Sequence, residues 1–193
     1  MAALYRVFPY LKTASDNAPG GALYTPDRGG GRIDNPELYS TLYLSDAAAG
    51  AIAESFGRFP VWTAAMLEGN PSLPGSARAI ARYQLTGNEP VCNLDDARQL
   101  LALKLRPSDV VTRDYTRSRV WAERIYKIGR WSGVQWWSYY EPKWASFGLW
   151  NLRRLKVQEI ALLQLDSPAL LEASRTIARP VARARHKAAA SPL

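Results

Sequence analysis

Cysteine and histidine are nearly missing from this 193-residue chain, which has one of each, Cys92 and His186. A single cysteine cannot form an internal disulfide, and no Cys/His cluster exists to hold zinc. A lone histidine among Ala and Arg residues argues against Ser-His-Asp and Cys-His catalysis. We therefore expect a protein of a reducing compartment without a bound metal, in which Cys92 is a small buried hydrophobic residue.

Long apolar segments are missing too. The first ten residues, MAALYRVFPY, show no basic stretch ahead of an apolar one, so no signal peptide is expected. The longest run of small apolar residues, around 47–53, is too short to span a bilayer. These observations predict a cytoplasmic protein of bacterial type.

Acidic residues are absent from the carboxyl end. The chain has a net charge of +8, yet residues 175–193 carry five basic residues and no acid, which leaves residues 1–174 at +3. We therefore predict one domain over residues 1–174 and a basic, Ala/Arg-rich tail over residues 175–193. A nearly balanced domain favours a small anion in a pocket over a nucleic acid.

Strand and helix patterns are mixed along the chain, and 47% of its residues are hydrophobic, enough for a sizeable core. Alternating apolar residues predict a strand over Ala77–Leu85 with one covered face. Further strands are predicted at Leu4–Phe8, Thr41–Leu44, Gly133–Ser138, Ser146–Trp150 and Val157–Leu165. Helices are predicted over Asp46–Phe56, Asp95–Leu103 and Thr116–Ile128, the first two capped by Ser45 and Asn93. This order indicates an α+β fold.

Two local patterns suggest a binding site. On the first helix, small residues accompany Glu54 at helical spacing, so a carboxylate can approach a neighbouring sheet or ligand closely; a solvated glutamate is an equal alternative. Five of the seven tryptophans fall between Trp131 and Trp150. Most of them should pack in the core, while one or two should line a pocket or an interface.

The ordered motifs resemble the RES-domain family. The resemblance rests on Tyr5-Arg6, Gly30-Gly31-Arg32 with Asn35-Pro36, Leu42-Tyr43, Ala51–Glu54, Gly133–Ser138 and Phe147–Trp150. It implies a compact single α+β domain with a mixed, partly split sheet flanked by helices, similar to ADP-ribosyltransferase toxins. Ile33 stands where the family usually has an aromatic residue, and the segment around Trp136 and Trp137 is more aromatic than usual.

The resemblance also implies a function. Members are toxins of bacterial toxin–antitoxin pairs that destroy NAD⁺ at its nicotinamide–ribose bond, by phosphorolysis or hydrolysis. NAD⁺ is then a substrate, with inorganic phosphate as a possible second substrate, and no cofactor or metal is implied. The implied partner is an Xre-type helix-turn-helix antitoxin, which would block the pocket entrance; contact with DNA would occur only through it. A toxin homodimer is a further possibility, and no membrane association is implied.

Position by position, the resemblance implies Glu54, Arg6 and Ser138 as catalytic residues. NAD⁺ would be bound by Arg6, Arg32, Tyr43, Glu54 and Ser138. The chemistry agrees, because cleavage builds positive charge on the ribose and releases neutral nicotinamide, so one carboxylate suffices and no acid is needed. Guanidinium groups suit a pyrophosphate. Ser138, without a histidine, is a poor nucleophile.

Alternatives remain at this stage. Arg6 could pair with Asp46, Tyr43 could simply pack under the sheet, and Ser138 could be an ordinary residue at a strand end. The protein could instead transfer ADP-ribose to a macromolecule. A non-enzymatic nucleic-acid-binding module, suggested by the tail and the tryptophans, ranks below both.

Overall fold

The computed structural model describes residues 2–26, 29–87 and 90–182. Its centre is one mixed β-sheet of seven strands. The strands are β1 (Ala2–Tyr10), β2 (Leu42–Ser45), β3 (Ala77–Leu85), β4 (Val91–Asn93), β5 (Gly133–Trp137), β6 (Ala145–Leu149) and β7 (Leu155–Leu162). They lie in the order β4-β5-β6-β2-β1-β3-β7. Neighbours are antiparallel except β4 and β5, which are parallel.

Five α-helices occur in the described part of the chain, together with a 3₁₀ turn over Ala64–Leu67. The helices are α1 (Ala48–Phe56), α2 (Ala97–Leu103), α3 (Pro107–Val110), α4 (Tyr115–Lys127) and α5 (Pro168–Thr176). With the mixed sheet, they confirm the predicted α+β fold. The helical termini differ from the prediction at two caps. Ser45 is the last residue of β2 and pairs with Ser146, so α1 begins only after Ala47. Asp96, not Asn93, caps α2, because Asn93 is still part of β4.

The sheet is partly split between β1 and β2, as predicted. β1 pairs with β3 along its whole length, from Ala2 to Tyr10. β1 and β2, in contrast, share a single pair, Tyr5 with Ser45. The sheet therefore consists of two halves, β4-β5-β6-β2 and β1-β3-β7, which are joined at one point.

Three apolar clusters surround this sheet. The first, around Leu4, Leu42 and Tyr83, covers one face of the central strands. The second fills the space between the β4–β5 end of the sheet and α4, whose Trp121 and Ile125 are buried, while Ile128 is 51% exposed. Cys92 belongs to this cluster as the predicted buried residue, and burial raises the pKa of its thiol to about 11. The third cluster joins α1 to α5.

The carboxyl-terminal segment packs on this third cluster. The predicted boundary after residue 174 falls inside α5, and Ile177 and Val181 contact the α1–α5 cluster. The backbone N–H of Trp62 donates to Pro180 O at 2.9 Å. The remaining tail residues, including Arg183, Arg185, His186 and Lys187, lie outside the described residues.

Candidate active site

A cavity of about 360 Å³ opens where the two halves of the sheet separate. Past the Tyr5–Ser45 pair, β1 and β2 no longer bond to each other, which leaves a wedge between them. The cavity is lined by Tyr5, Arg6, Val7, Arg32, Tyr43, Leu44, Ser45, Ala51, Glu54, Ser55, Tyr115, Trp136, Tyr139 and Ser146. Four of the five residues singled out in the sequence, Arg6, Arg32, Tyr43 and Glu54, are in this set.

Glu54 reaches the cavity because α1 lies unusually close to the end of β2. A Cβ atom at Gly50 would stand 2.4 Å from Ser45 Oγ, so a larger residue would push the helix away. One turn later, Glu54 is exposed on the cavity side. Its Oε1 accepts hydrogen bonds from Ser138 Oγ at 2.6 Å and, more weakly, from Ser146 Oγ at 3.4 Å. The carboxylate is thus oriented by two hydroxyls while remaining accessible.

Ser138 stands behind Glu54 and does not itself line the cavity. It follows β5, is 2% exposed, and its backbone N–H donates to Trp144 O at 2.8 Å. Its hydroxyl also accepts from the backbone N–H of Tyr140 at 3.1 Å. Ser138 is therefore more than a strand-end residue, and its geometry is that of a positioning residue for Glu54.

Arg6 enters the cavity from β1. Its Nη1 donates to Ala22 O at 3.0 Å, and the Tyr83 hydroxyl donates to the same carbonyl at 2.6 Å. Burial lowers the pKa of Arg6 from its ordinary value, although a guanidinium remains charged at neutral pH. The alternative pairing of Arg6 with Asp46 is not found among the described residues; Asp46 Oδ1 accepts instead from the backbone N–H of Ala145 at 2.8 Å.

Arg32 is held by the end of α3 and the segment that follows it. Its Nη1 donates to Val110 O at 2.8 Å and Thr112 O at 2.6 Å, and its guanidinium lies 5.4 Å from the Tyr115 ring centre. Ser118 Oγ donates to Arg32 O at 2.6 Å. One edge of the guanidinium is thus fixed to the protein, and the side chain is aimed at the cavity.

Tyr43 forms the wall between β2 and the glycine loop. Its hydroxyl donates to Asp34 Oδ1 at 2.7 Å and accepts from Ile33 N at 3.0 Å. Burial and the neighbouring Asp34 carboxylate raise the pKa of Tyr43, which keeps it protonated. A Cβ atom at Gly31 would stand 2.2 Å from the Tyr43 hydroxyl oxygen, so a larger residue here would displace the loop or the Tyr43 side chain.

Several lining residues were not identified from the sequence. Tyr115 begins α4, Tyr139 follows β5, and Ser146 lies on β6, and all three fall outside the motifs that carry the family resemblance. Trp136 contacts Tyr43 edge to face, with ring centres 6.5 Å apart. It is the one tryptophan of the cluster at 131–150 that lines the cavity, which agrees with the expectation of one or two.

Over the ranges that the structure describes, no three His, Cys, Asp or Glu side chains gather closely enough to hold a metal ion. No helix within those ranges has the length and apolar character needed to cross a membrane.

The fold and the cavity can be compared with known proteins. A solved structure, "Crystal structure of the M.tuberculosis MbcT-MbcA toxin-antitoxin complex", contains a chain that matches with a TM-score of 0.60 and 16% identity. The match covers 92% of this chain and 89% of that one, so the likeness concerns the whole fold. No curated protein matches the chain. The RES-domain family model matches residues 3–184, a range that contains every cavity-lining residue, and the chain therefore belongs to the RES-domain family.

Proposed function

We propose that this protein is the toxin of a bacterial toxin–antitoxin pair and that it degrades NAD⁺ by cleaving the nicotinamide–ribose bond. The observation that carries the proposal is the Glu54 carboxylate, oriented by Ser138 at 2.6 Å and facing a cavity that also receives two guanidinium groups. Family membership and the fold shared with a chain of a toxin–antitoxin complex support it.

The reaction requires little of the protein beyond charge placement. Nicotinamide leaves as a neutral molecule, so no general acid is needed, while positive charge develops at the ribose C1 and ring oxygen. A carboxylate that is already oriented stabilises this charge without reorganising during the reaction. Glu54 takes this role, and it can also accept hydrogen bonds from the ribose hydroxyls.

The arginines and aromatic rings would bind the rest of the substrate. Arg6 and Arg32 carry the fork of donors that suits pyrophosphate oxygens. The rings of Trp136, Tyr115 and Tyr139 offer faces on which the nicotinamide could stack. The acceptor is water or inorganic phosphate, and a guanidinium could also hold the phosphate during attack.

A partner protein completes the proposal. A solved chain that shares this fold comes from a toxin–antitoxin complex. We propose that a helix-turn-helix antitoxin of the Xre type covers the cavity mouth of this chain and so prevents access of NAD⁺. DNA would then be reached only through the antitoxin, and a toxin homodimer remains a prediction.

The decisive experiment measures nicotinamide release from NAD⁺ by the purified chain, with and without inorganic phosphate. Glu54→Gln keeps the size of the side chain and removes its charge, and we expect at least a thousandfold loss of activity. Glu172→Gln, an exposed glutamate on α5, is the matched control and should retain activity. Release in phosphate buffer only would indicate phosphorolysis. A folded wild-type protein that releases no nicotinamide in either buffer would refute the proposal.

A second function is favoured by the open mouth of the cavity. Glu54 is exposed and Tyr139 is 62% exposed, so a macromolecular acceptor could reach the ribose as well as a small one. ADP-ribose transfer would leave label from adenine-labelled NAD⁺ on protein or nucleic acid. NAD⁺ degradation would leave all the label in small molecules.

A further inference from the structure

The turn at residues 31–34 carries Arg32 and is closed by an aspartate that has no role in the chemistry described so far. The backbone N–H of Asp34 donates to Gly31 O at 3.4 Å, and the backbone N–H of Gly31 donates to Asp34 Oδ2 at 2.5 Å. Arg32 and Ile33 are the two central residues of this turn. We call residues 31–34 the arginine turn. Its shape therefore depends on the Asp34 side chain as well as on the backbone.

The arginine turn is built around one atom, the hydroxyl oxygen of Tyr43. That hydroxyl donates to Asp34 Oδ1 at 2.7 Å and accepts from the backbone N–H of Ile33 at 3.0 Å. The backbone of Gly31 passes so close that a Cβ atom there would lie 2.2 Å from the same oxygen. A tyrosine hydroxyl has one proton, and Asp34 accepts it, so this hydroxyl cannot donate to a ligand. The hydroxyl serves the turn, while the rest of Tyr43 lines the cavity.

One side of the arginine turn is anchored to α4. Ser118 Oγ donates to Arg32 O at 2.6 Å, and Arg119 Nε donates to Gly31 O at 3.2 Å. The other side is anchored to β2 through the hydroxyl described above, and Asp34 supplies the carboxylate of that anchor. Because a hydrogen bond to a carboxylate is stronger than one between neutral groups, we expect Asp34 to provide most of the hold on this side.

We propose that Asp34 is a positioning residue, which acts through Gly31 and the Tyr43 hydroxyl to hold the Arg32 guanidinium in the cavity. This inference rests on the proposed function, in which Arg32 binds the pyrophosphate of NAD⁺. A guanidinium binds such oxygens with a fork of donors whose direction matters, so a shift of the turn weakens binding. Glu54 is carried by another element, α1, so the chemical step itself should not change.

The first test is a double-mutant cycle on nicotinamide release from NAD⁺. Asp34→Asn keeps the shape of the side chain, but the amide can accept only one of the two hydrogen bonds, because its NH₂ group meets the other donor. We expect KM to rise roughly tenfold with kcat unchanged, as for one weakened charge-assisted hydrogen bond. Arg32→Ala should raise KM further, and adding Asp34→Asn to it should change KM by less than about twofold. Glu37→Gln, a nearby exposed glutamate, is the matched control and should behave as wild type.

The second test follows the position of Arg32 without any turnover. Phenylglyoxal modifies guanidinium groups, and peptide mass spectrometry measures the rate at each arginine. In Asp34→Asn, the looser turn should speed the modification of Arg32 roughly fivefold, as for the loss of one hydrogen bond. Arg179 is held in a similar way on the α5 side, where its Nε donates to Gly57 O at 3.0 Å, and it should react at its wild-type rate. An equal increase at both arginines would indicate general loosening and would refute the positioning role.

Other outcomes would overturn the proposal as well. A wild-type KM for Asp34→Asn, or separate effects of Asp34→Asn and Arg32→Ala that multiply in the double variant, would show that Asp34 does not act through Arg32. If wild type releases no nicotinamide, the proposed function fails, and the modification rates alone decide on Asp34. Faster modification of Arg32 in Asp34→Asn then supports the proposal, and an unchanged rate refutes it. Tyr43→Phe, which removes the mediating hydroxyl, is the second variant should Asp34→Asn fold poorly, and the same outcomes apply to it.

Discussion

Ser138 offers the sharpest test of how the Glu54 carboxylate is oriented. Ser138→Ala removes the 2.6 Å hydrogen bond to Glu54 Oε1 and the acceptor of the Tyr140 N–H. A hydrogen bond to a charged group contributes about 1.5–3 kcal/mol. If this energy serves to hold the carboxylate in its reactive position, kcat for nicotinamide release should fall roughly 10- to 150-fold, with a smaller change in KM.

Ser146→Ala is the matched control, because Ser146 bonds to the same oxygen atom at 3.4 Å. That length is typical of a weak hydrogen bond, so we expect a decrease of less than about fivefold. Thermal unfolding of both variants checks that they are folded; the lost Tyr140 bond should lower the Tm of Ser138→Ala by roughly 2–4 °C. A wild-type kcat for Ser138→Ala, or an equal or larger loss for Ser146→Ala, would refute the assignment of Ser138 as the positioning residue.

Three further predictions concern stability. Gly31→Ala should lower the free energy of unfolding by about 1–3 kcal/mol because its Cβ would meet the Tyr43 hydroxyl oxygen at 2.2 Å. Gly30→Ala is the control, since its Cβ would have no neighbour within 4 Å; equal urea-unfolding curves for the two variants would contradict the steric argument. The raised pKa of Cys92, about 11, means that the folded chain keeps a proton that the unfolded chain loses from about pH 9 upward. The free energy of unfolding should thus fall between pH 9 and 11, less steeply in Cys92→Ala, and identical slopes would show that the thiol is not the cause. A chain ending at residue 182 should keep the wild-type Tm. A chain ending at residue 174 should have a Tm several degrees lower, because it loses the contacts to Trp62. Equal Tm values for the two truncated chains would place the folded boundary at residue 174.

The strands and the family motifs were accessible from the sequence because they depend on local patterns. Alternation over Ala77–Leu85 predicted β3 to the residue, and small residues at helical spacing predicted the close approach of α1. The caps were not predicted correctly, since Ser45 is a good capping residue that tertiary pairing with Ser146 keeps in the strand. At such positions, pairing within the sheet outweighs the preference of the residue for a helix cap.

The rest of the candidate site depends on contacts between distant parts of the chain. Arg32 bonds to Val110 and Thr112, 78 and 80 residues away, and nothing in the local sequence around those positions marks them as partners. The Ser138–Glu54 hydrogen bond is similar, because it joins residues 84 positions apart and is visible only in the folded chain. Sequence motifs identified the charged groups, and the fold revealed what holds them.

The strand order determines how late in the synthesis of the chain the site can form. β2 touches β1 at one pair, so its main partner is β6, and the Ser138 hydroxyl that orients Glu54 comes 84 residues after that carboxylate. At 5–20 residues per second, the ribosome needs about 4–17 s to make that stretch. Throughout this interval the nascent chain already contains both arginines and the carboxylate, but β2 is an unpaired edge and the carboxylate lacks its partner. Assembly of the site is therefore among the last events of synthesis, and a partner protein made at the same time has those seconds in which to be ready.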